Sequence, residues 1–489
     1  MEDAKKARRS AISAVVFLAA GFVLVSEFNV GRSYGWDEGV YLASARLVNH
    51  GHRLFQEVFS SQPPVFVETI ALAFRLFGDK AEVGTRAVVA CGLVVLLSGA
   101  WAASRLLGPW AASVSMLALL SKAFFDQAIT VEAEIPALAL ALLSVALLVP
   151  PRSDGRTRAA LAGGCFALAL LSKLWVAPYA VPCVLLLFVD GEGNGSLAWQ
   201  PRRAGLTTSL DRVLVFGLTA TLVGALVLSR YDLKSLYAQA VGFHLAAAER
   251  GRGLFARSGQ DVLLRFAAHN ASIGLLALLG CFALFRRNRL ACLFVVCWTL
   301  VSAALVLWNT PSFDRHALLV APPTAILAAA GALPLVRGGR GRKAAAIVGL
   351  LVLLVLRPSF AEGGFSWTMP LATQLPAVSN PDPQQDEAVR LIQDLTKPGD
   401  IVAADAPLLA FLAGRDVPPR LVDVSGTRII SGAITTEMAI AESMDARLVV
   451  FWGDRFDRLP GYRSWVQTRY RRTANWRTAV GRRELYARD

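Results

Sequence analysis

Charge is scarce in this chain, and acid is scarcer than base. Only 18% of the 489 residues are charged, 36 of them acidic and 50 basic, while 55% are hydrophobic. A chain of this length with so little charge exceeds the apolar content of a soluble domain, so the composition reads as a polytopic membrane protein. Cysteine offers no framework: Cys91, Cys165, Cys183, Cys281, Cys292 and Cys297 all lie inside apolar runs without CxxC or Cys/His spacing, which excludes a disulfide scaffold or zinc ribbon. His50, His52, His244 and His269 likewise lack metal-ligand spacing. No GxGxxG follows a strand pattern, so a dinucleotide fold is not indicated. The excess of base would suggest nucleic acid in a soluble protein. Here the arginines cluster in short loops between apolar runs, as membrane orientation requires, so the expected partners are membrane lipids and no nucleic acid.

What is present is a series of apolar segments. A span needs about 20 such residues, and the candidates are 11–29, 83–106, 109–122, 132–150, 158–172, 174–190, 212–229, 263–285, 290–308, 317–336 and 343–357. The basic start MEDAKKARRS followed by AISAVVFLAAGFVLV resembles a signal peptide, but its length and the absence of a clear small-residue cleavage site make it an uncleaved first span. The segment PPVFVETIALAFRLFG, 63–78, is too short and carries Glu68 and Arg75 on one helical face, opposite Val65, Phe66, Ile70, Phe74 and Phe77. It reads as a helix lying in the interface.

Charge bias supports that choice. With 63–78 outside the count, the loops holding Arg105, Arg152 with Arg156 and Arg158, Arg202 with Arg203, Arg286 with Arg287 and Arg289, and Arg337 with Arg340, Arg342 and Lys343 all fall on the cytoplasmic side. The expectation is about eleven transmembrane helices in a plasma (inner) membrane, with a cytoplasmic N-terminus and an extracytoplasmic C-terminus. The outer side then receives the 30–82 loop, the 122–132 loop, the turn at Lys173, residues 230–262, the SFDRH turn at 312–316 and everything after 358. The Gly-rich stretch 190–211 reads as a cytoplasmic linker. From about 380, short apolar runs (401–405, 407–414, 420–424, 447–453) and a helical stretch around 431–444 indicate a small α/β domain, a lid or platform over the membrane.

The chemistry-bearing stretch is GWDEGVYLASARLVNHG, 35–51, where Asp37 and Glu38 open a helix just after the first span. The positive helix end keeps such carboxylates ionised and competent as a base or metal ligand. The blander alternative is an N-terminal cap with a solvated neighbour. Trp36 and Tyr41 flank the pair, aromatics suited to an interface or to a sugar ring. Glu132 and Glu134, only two apart, diverge if they lie on a helix, so one of them at most is expected to enter a common site; Asp126 is a third choice. Arg86, Lys173, Arg315 and His316 fall at outer ends of spans, where snorkelling to headgroups competes with binding an anion.

The acidic residue after the first span, the helix opened by Pro63 and Pro64, the arginine of GTRAVVA, the acids of VEAEIPALAL and LLSKLWVAP resemble, in this order, the glycosyltransferase-C superfamily. Within it they are most similar to glycosyltransferase family 39 and its bacterial relatives, the protein O-mannosyltransferases and lipid A aminoarabinose transferases. The resemblance is good over roughly 10–190 and holds in outline beyond. It implies a GT-C transmembrane domain over 1–357 with two juxtamembrane helices in the first outer loop, followed by the extracytoplasmic α/β domain at 358–489. It further implies inverting transfer of a sugar from a polyprenyl-phosphate carrier to a glycan, lipid or protein acceptor. By the same resemblance Asp37 is the general base with Glu38 beside it. Arg86, Lys173, Arg315 and His316 hold the donor phosphate, while Glu132, Glu134, Gln62 and Tyr41 position the acceptor or a divalent metal (Mg or Mn). Gln62 departs from the Lys or His that relatives place before the Pro-Pro pair, and it cannot neutralise a phosphate. That departure leaves the donor sugar and acceptor open. A transporter or flippase of lipid-linked saccharides would share spans and arginines but calls for paired repeats and midplane charges, which the sequence lacks. A membrane scaffold whose carboxylates are only structural is the third reading.

Overall fold

The computed structural model describes residues 2–30, 34–149, 155–191, 199–201, 206–250, 258–309, 312–336, 357–359, 366–368, 382–478 and 481–488. The apolar runs form helices α1 (Glu2–Glu27), α4 (Ala81–Leu107), α5 (Pro109–Leu119), α7 (Glu134–Leu148), α8 (Gly155–Ser172), α9 (Ala180–Leu187), α10 (Leu206–Leu228), α14 (Ala271–Arg287), α15 (Arg289–Trp308) and α16 (Ala321–Val336). Between them lie α2 (Trp36–Asn49), α3 (Pro64–Phe77), α6 (Lys122–Ala128), α11 (Leu233–Tyr237), α12 (Phe243–Arg250) and α13 (Gly259–His269). Four segments, Arg9–Glu27, Ala81–Leu107, Ser209–Leu228 and Arg289–Trp308, are each long and apolar enough to cross a membrane, and Pro109–Leu119, Glu134–Leu148, Leu174–Leu187 and Ala321–Ala332 are shorter apolar helices. Leu214, Leu218, Leu222 and Leu226 form an exposed stripe along α10. Water would penalise such a stripe, whereas lipid tails accept it. Where α14 crosses α16, Gly280 and Gly331 let the backbones touch; a Cβ on either would enter the partner's main chain.

The first loop holds two helices, as the sequence indicates. In α3 the residues Phe66, Val67, Ile70, Ala71 and Phe74 are buried, while Leu72, Leu76 and Phe77 stay exposed. Fourteen residues rise only about 21 Å, short of a ~30 Å hydrocarbon core. Glu68 accepts from the Tyr231 hydroxyl at 2.8 Å and Arg75 donates to Asn49 at 2.7 Å, so the polar face is engaged by protein.

Two expectations about spans need correcting or setting aside. The 263–285 segment is not one helix: α13 and α14 meet at 92°. Asn270 at the break bonds its own side chain back to Phe266 O at 2.9 Å, and α13 starts on a Ser258–Asp261 capping box. The candidate run already contains Arg265 and His269 of α13. The 343–357 candidate lies outside the described residues, as does much of the 190–211 linker. The 230–262 stretch contains α11, a π-helical turn over Ala238–Gly242 and α12.

The C-terminal part carries a four-stranded mixed sheet in the order Val402–Ala404, Leu448–Phe451, Gly481–Ala487, Arg471–Thr478; the first pair is parallel and the others antiparallel. Helices α17 (Pro383–Leu395) and α18 (Pro407–Leu412) accompany it. The 401–405 and 447–453 strands are where the sequence puts them. RLVDV forms no strand, because Pro418 and Pro419 start a short 3-10 turn there. One sheet face packs Ala403, Val449 and Phe451 on Phe456 and Tyr462, while Val402, Ala404 and Val450 on the other face join the core of the helical part.

That shared core fixes the C-terminal part on α2. Arg46 pairs with Asp79, donates to Phe411 O at 2.8 Å and lies 3.9 Å above the Phe411 ring. Trp36 Nε1 donates to Asp405 O at 2.7 Å. Gly39 leaves no space toward α18, since a Cβ there would lie 2.6 Å from Leu408 Cβ and 2.8 Å from its backbone nitrogen. Gly39→Ala is therefore expected to cost about 1–3 kcal/mol of stability by overpacking. Thermal unfolding of the purified variant checks it, and an unchanged midpoint would show that the contact relaxes freely.

Candidate active site

The site begins at the N-terminus of α2. Glu38 closes it: one carboxylate oxygen accepts from Gly35 N at 2.7 Å and the other from Val131 N at 3.0 Å. With both oxygens engaged by backbone and the side chain buried, Glu38 sets the helix start and ties it to the 129–133 turn. Asp37, one residue and about 100° around the helix from it, stays 44% exposed.

Arg315 gathers the other acids. Its Nη1 donates to Glu132 Oε1 at 2.9 Å and lies 3.5 Å from Asp37 Oδ2, and its Nε is 2.9 Å from Glu134 Oε1 as an ion pair without hydrogen-bond alignment. Lys173 Nζ donates to the same Glu134 oxygen at 2.6 Å. Both glutamates thus enter the site, against the expectation that only one would. The divergence argument assumed a helix, but α7 begins at Glu134 and Glu132 belongs to the non-helical turn before it. The Arg315 guanidinium lies 4.7 Å from the Phe313 ring, which supports its approach. Burial alone would lower the Arg315 pKa, but the surrounding acids, Glu134 first, more than offset it, so it stays charged.

Tyr41 lies one turn beyond Asp37, with its ring against Phe66 at 5.0 Å. Burial first, then the charge of Asp37, raises its pKa well above the ordinary phenol value, so its hydroxyl remains a neutral donor. His316 does not supply positive charge as expected. Its Nδ1 lies 3.3 Å from the Phe313 N–H and 3.1 Å from Asn309 Nδ2, and burial followed by Lys173 lowers its pKa to about 3. It is a neutral hydrogen-bonding side chain at the base of the Arg315 turn.

Arg86 is not brought to this group; it makes an exposed pair with Glu27, Nη2 at 3.1 Å. Gln62 is buried in the turn before α3, where its backbone bonds the Ser60 hydroxyl. Asp126 pairs with Lys122 at 2.6 Å. The C-terminal part contributes contacts with no local sequence signal: Arg455 lies 3.9 Å above the Trp36 ring, and Asp405 receives Trp36 through its carbonyl and the Trp452 and Gly453 amides through its carboxylate. Nothing local in a sequence pairs residues that lie 369 positions apart.

Glu132 holds a further clue. One of its oxygens is buried without a hydrogen-bond partner among the described residues. Burial, then repulsion from Glu134, pushes its pKa well above the carboxylate range, so it carries a proton near neutrality. Because the folded pKa is raised, the folded protein binds the extra proton, and wild-type stability falls as pH rises from the unfolded carboxylate value toward the folded one. Glu132→Gln, which mimics the protonated acid, is expected to fold within about 1 kcal/mol of wild type at neutral pH and to lose that slope. Denaturation midpoints between pH 5 and 8 check this; an unaltered slope would assign it elsewhere.

Among the described residues, no three His, Cys, Asp or Glu side chains are arranged to hold a metal ion. The carboxylates that converge here are spanned by a guanidinium, an arrangement that does not fit a divalent cation.

Residues 61–210 match the family described as dolichyl-phosphate-mannose-protein mannosyltransferase, about a third of the chain. No curated protein matches it in sequence. Among solved structures it is similar to ArnT from Cupriavidus metallidurans bound to undecaprenyl phosphate, at 15% identity over 97% of each chain, with a TM-score of 0.65. It is also similar to the oligosaccharyltransferase AglB from the archaeon Archaeoglobus fulgidus, in complex with an inhibitory peptide and a dolichol-phosphate, at 12% identity over 98% of this chain and 74% of that one (TM-score 0.57). The arabinofuranosyltransferase AftD from Mycobacteria matches at 16% identity over 97% of this chain and 39% of that one (TM-score 0.52). The chain is a multi-pass membrane protein with the glycosyltransferase-C fold.

Proposed function

We propose that this chain transfers a sugar from a polyprenyl-phosphate carrier to an acceptor at the outer face of the membrane, with inversion. The observation that carries the reading is the half-exposed Asp37 carboxylate 3.5 Å from a guanidinium that also engages two buried glutamates. Asp37 takes the proton of the acceptor hydroxyl as its oxygen attacks the anomeric carbon. The bond from that carbon to the phosphate oxygen breaks in the same displacement, and its electron pair leaves with the phosphate. Phosphate is a good leaving group, so no strong general acid is needed, and Lys173 with Arg315 offset the charge that develops. Tyr41 donates a neutral hydrogen bond beside them. That two of the similar structures contain a polyprenyl phosphate supports the choice of donor. The bias of basic loops supports a cytoplasmic N-terminus, an outer C-terminal part and a plasma membrane location.

The protein is tested in liposomes loaded with labelled polyprenyl-phosphate sugars, with membrane extract outside. Transfer of label to an extract component, with polyprenyl phosphate left behind, supports the proposal. Passage of intact lipid-linked sugar across the bilayer without transfer would favour a flippase instead.

A further inference from the structure

Apart from the Asp37 group, the molecule has a cavity of about 520 Å³ where the turn before α3, the π turn with α12, and the C-terminal part meet. Phe55, Phe59 and Phe243 line it, together with Arg420 and Arg428, and Glu57 stands at its wall. Arg428 is only 3% exposed. Its Nη1 donates to Arg420 O at 2.6 Å and Asp423 O at 2.7 Å, and its guanidinium lies 4.0 Å from the Phe59 ring. Among the described residues its Nε–H is buried without a hydrogen-bond partner. Arg420 pairs with Glu442 at 3.7 Å and is 57% exposed. Glu57 is already engaged by the Arg53 amide at 2.8 Å and by His52.

The buried Asp423 carboxylate, then Glu442, already offset part of the Arg428 charge, but an unused buried donor remains costly. Here a second arginine stands at the same cavity, and the remaining wall is aromatic. Side chains of the π turn and α12 tie one wall of the cavity together. Gln239 of the π turn donates to Phe55 O at 2.7 Å and accepts from Ser60 N at 3.1 Å, and His244 contacts Ser61 O at 2.7 Å. The same turn leads through Gln62 into α3. Phe55 adopts φ 68° there, and single π turns concentrate at functional sites.

We infer that this cavity binds the phosphate or carboxylate group of the acceptor, held by Arg428 and Arg420 with ring or apolar surface against Phe55, Phe59 and Phe243. The anion site stands on the cavity alone; assigning it to the acceptor rests on the transferase reading above.

The test is calorimetric titration of the full-length protein in phosphatidylcholine nanodiscs with inorganic pyrophosphate. Saturable binding is expected, weakened about tenfold or more in Arg420→Gln, as loss of a charged hydrogen bond implies. Ala433→Trp, which fills the mouth from the C-terminal side, should remove binding with the melting midpoint unchanged. If phosphatidic acid in the nanodisc competes, a lipid headgroup supplies the anion; if it does not, a soluble acceptor does, and either result supports the site. Binding that is undetectable, or equal in wild type and both variants, would overturn it. Pyrophosphate binding in a protein that transfers sugar from no polyprenyl phosphate would keep the anion site and remove its assignment to the acceptor.

Discussion

Asp37→Asn is expected to lower sugar transfer by about 10²–10⁴-fold, the usual contribution of a positioned general base, while leaving the protein as stable as wild type. The stability half of the expectation comes from geometry. Asp37 is 44% exposed and its one ion pair is long, 3.5 Å to Arg315, so the amide strands no buried partner. Donor binding should be retained, because Lys173 and Arg315 are untouched. Initial rates with saturating donor and matched melting curves check this. Equal turnover of variant and wild type would move the base to another residue.

Arg315→Gln is expected to have the largest combined effect. The guanidinium spans Asp37, Glu132 and Glu134, and its removal leaves Lys173 as the cation paired with the fully buried Glu134. Breaking a buried ion pair from one side costs about 3–5 kcal/mol, so reduced yield and a clearly lower melting midpoint are expected, together with loss of donor binding. Arg315→Lys keeps the charge but not the fork that reaches three carboxylates. It should recover part of the stability and little of the transfer. If Arg315→Gln melts with wild type and binds polyprenyl phosphate normally, the cluster is structural surface and not the phosphate site.

The outline of this arrangement was legible in the sequence because it follows from membrane physics. The apolar runs became helices, the short 63–78 segment became α3, and the acidic start of α2 brought Asp37 beside cations drawn from distant span ends. What stayed hidden depends on contacts between segments. Glu38 and Asp37 look equivalent as neighbours until Val131 appears as the second backbone donor to Glu38. Glu132 and Glu134 exclude each other only on a shared helix, and the helix starts at Glu134. Arg86 carries the same local signal as Lys173, yet it meets Glu27. The break at Asn270 lies inside one continuous apolar run. The fastening of the C-terminal part on α2 depends on Gly39, Trp36 and Arg46 meeting Leu408, Asp405 and Phe411, pairings that no window of sequence contains.

The claim on which all of this depends is that the donor is a sugar on a polyprenyl phosphate. Purified protein given membrane extract and, in parallel, labelled polyprenyl-phosphate sugars or labelled nucleotide sugars tests it directly. The expected result is transfer from the lipid-linked donor only, with one polyprenyl phosphate released for each sugar moved and the rate collapsing in Asp37→Asn. Transfer from a nucleotide sugar without added lipid carrier, or label that stays on the polyprenyl phosphate throughout, would contradict it.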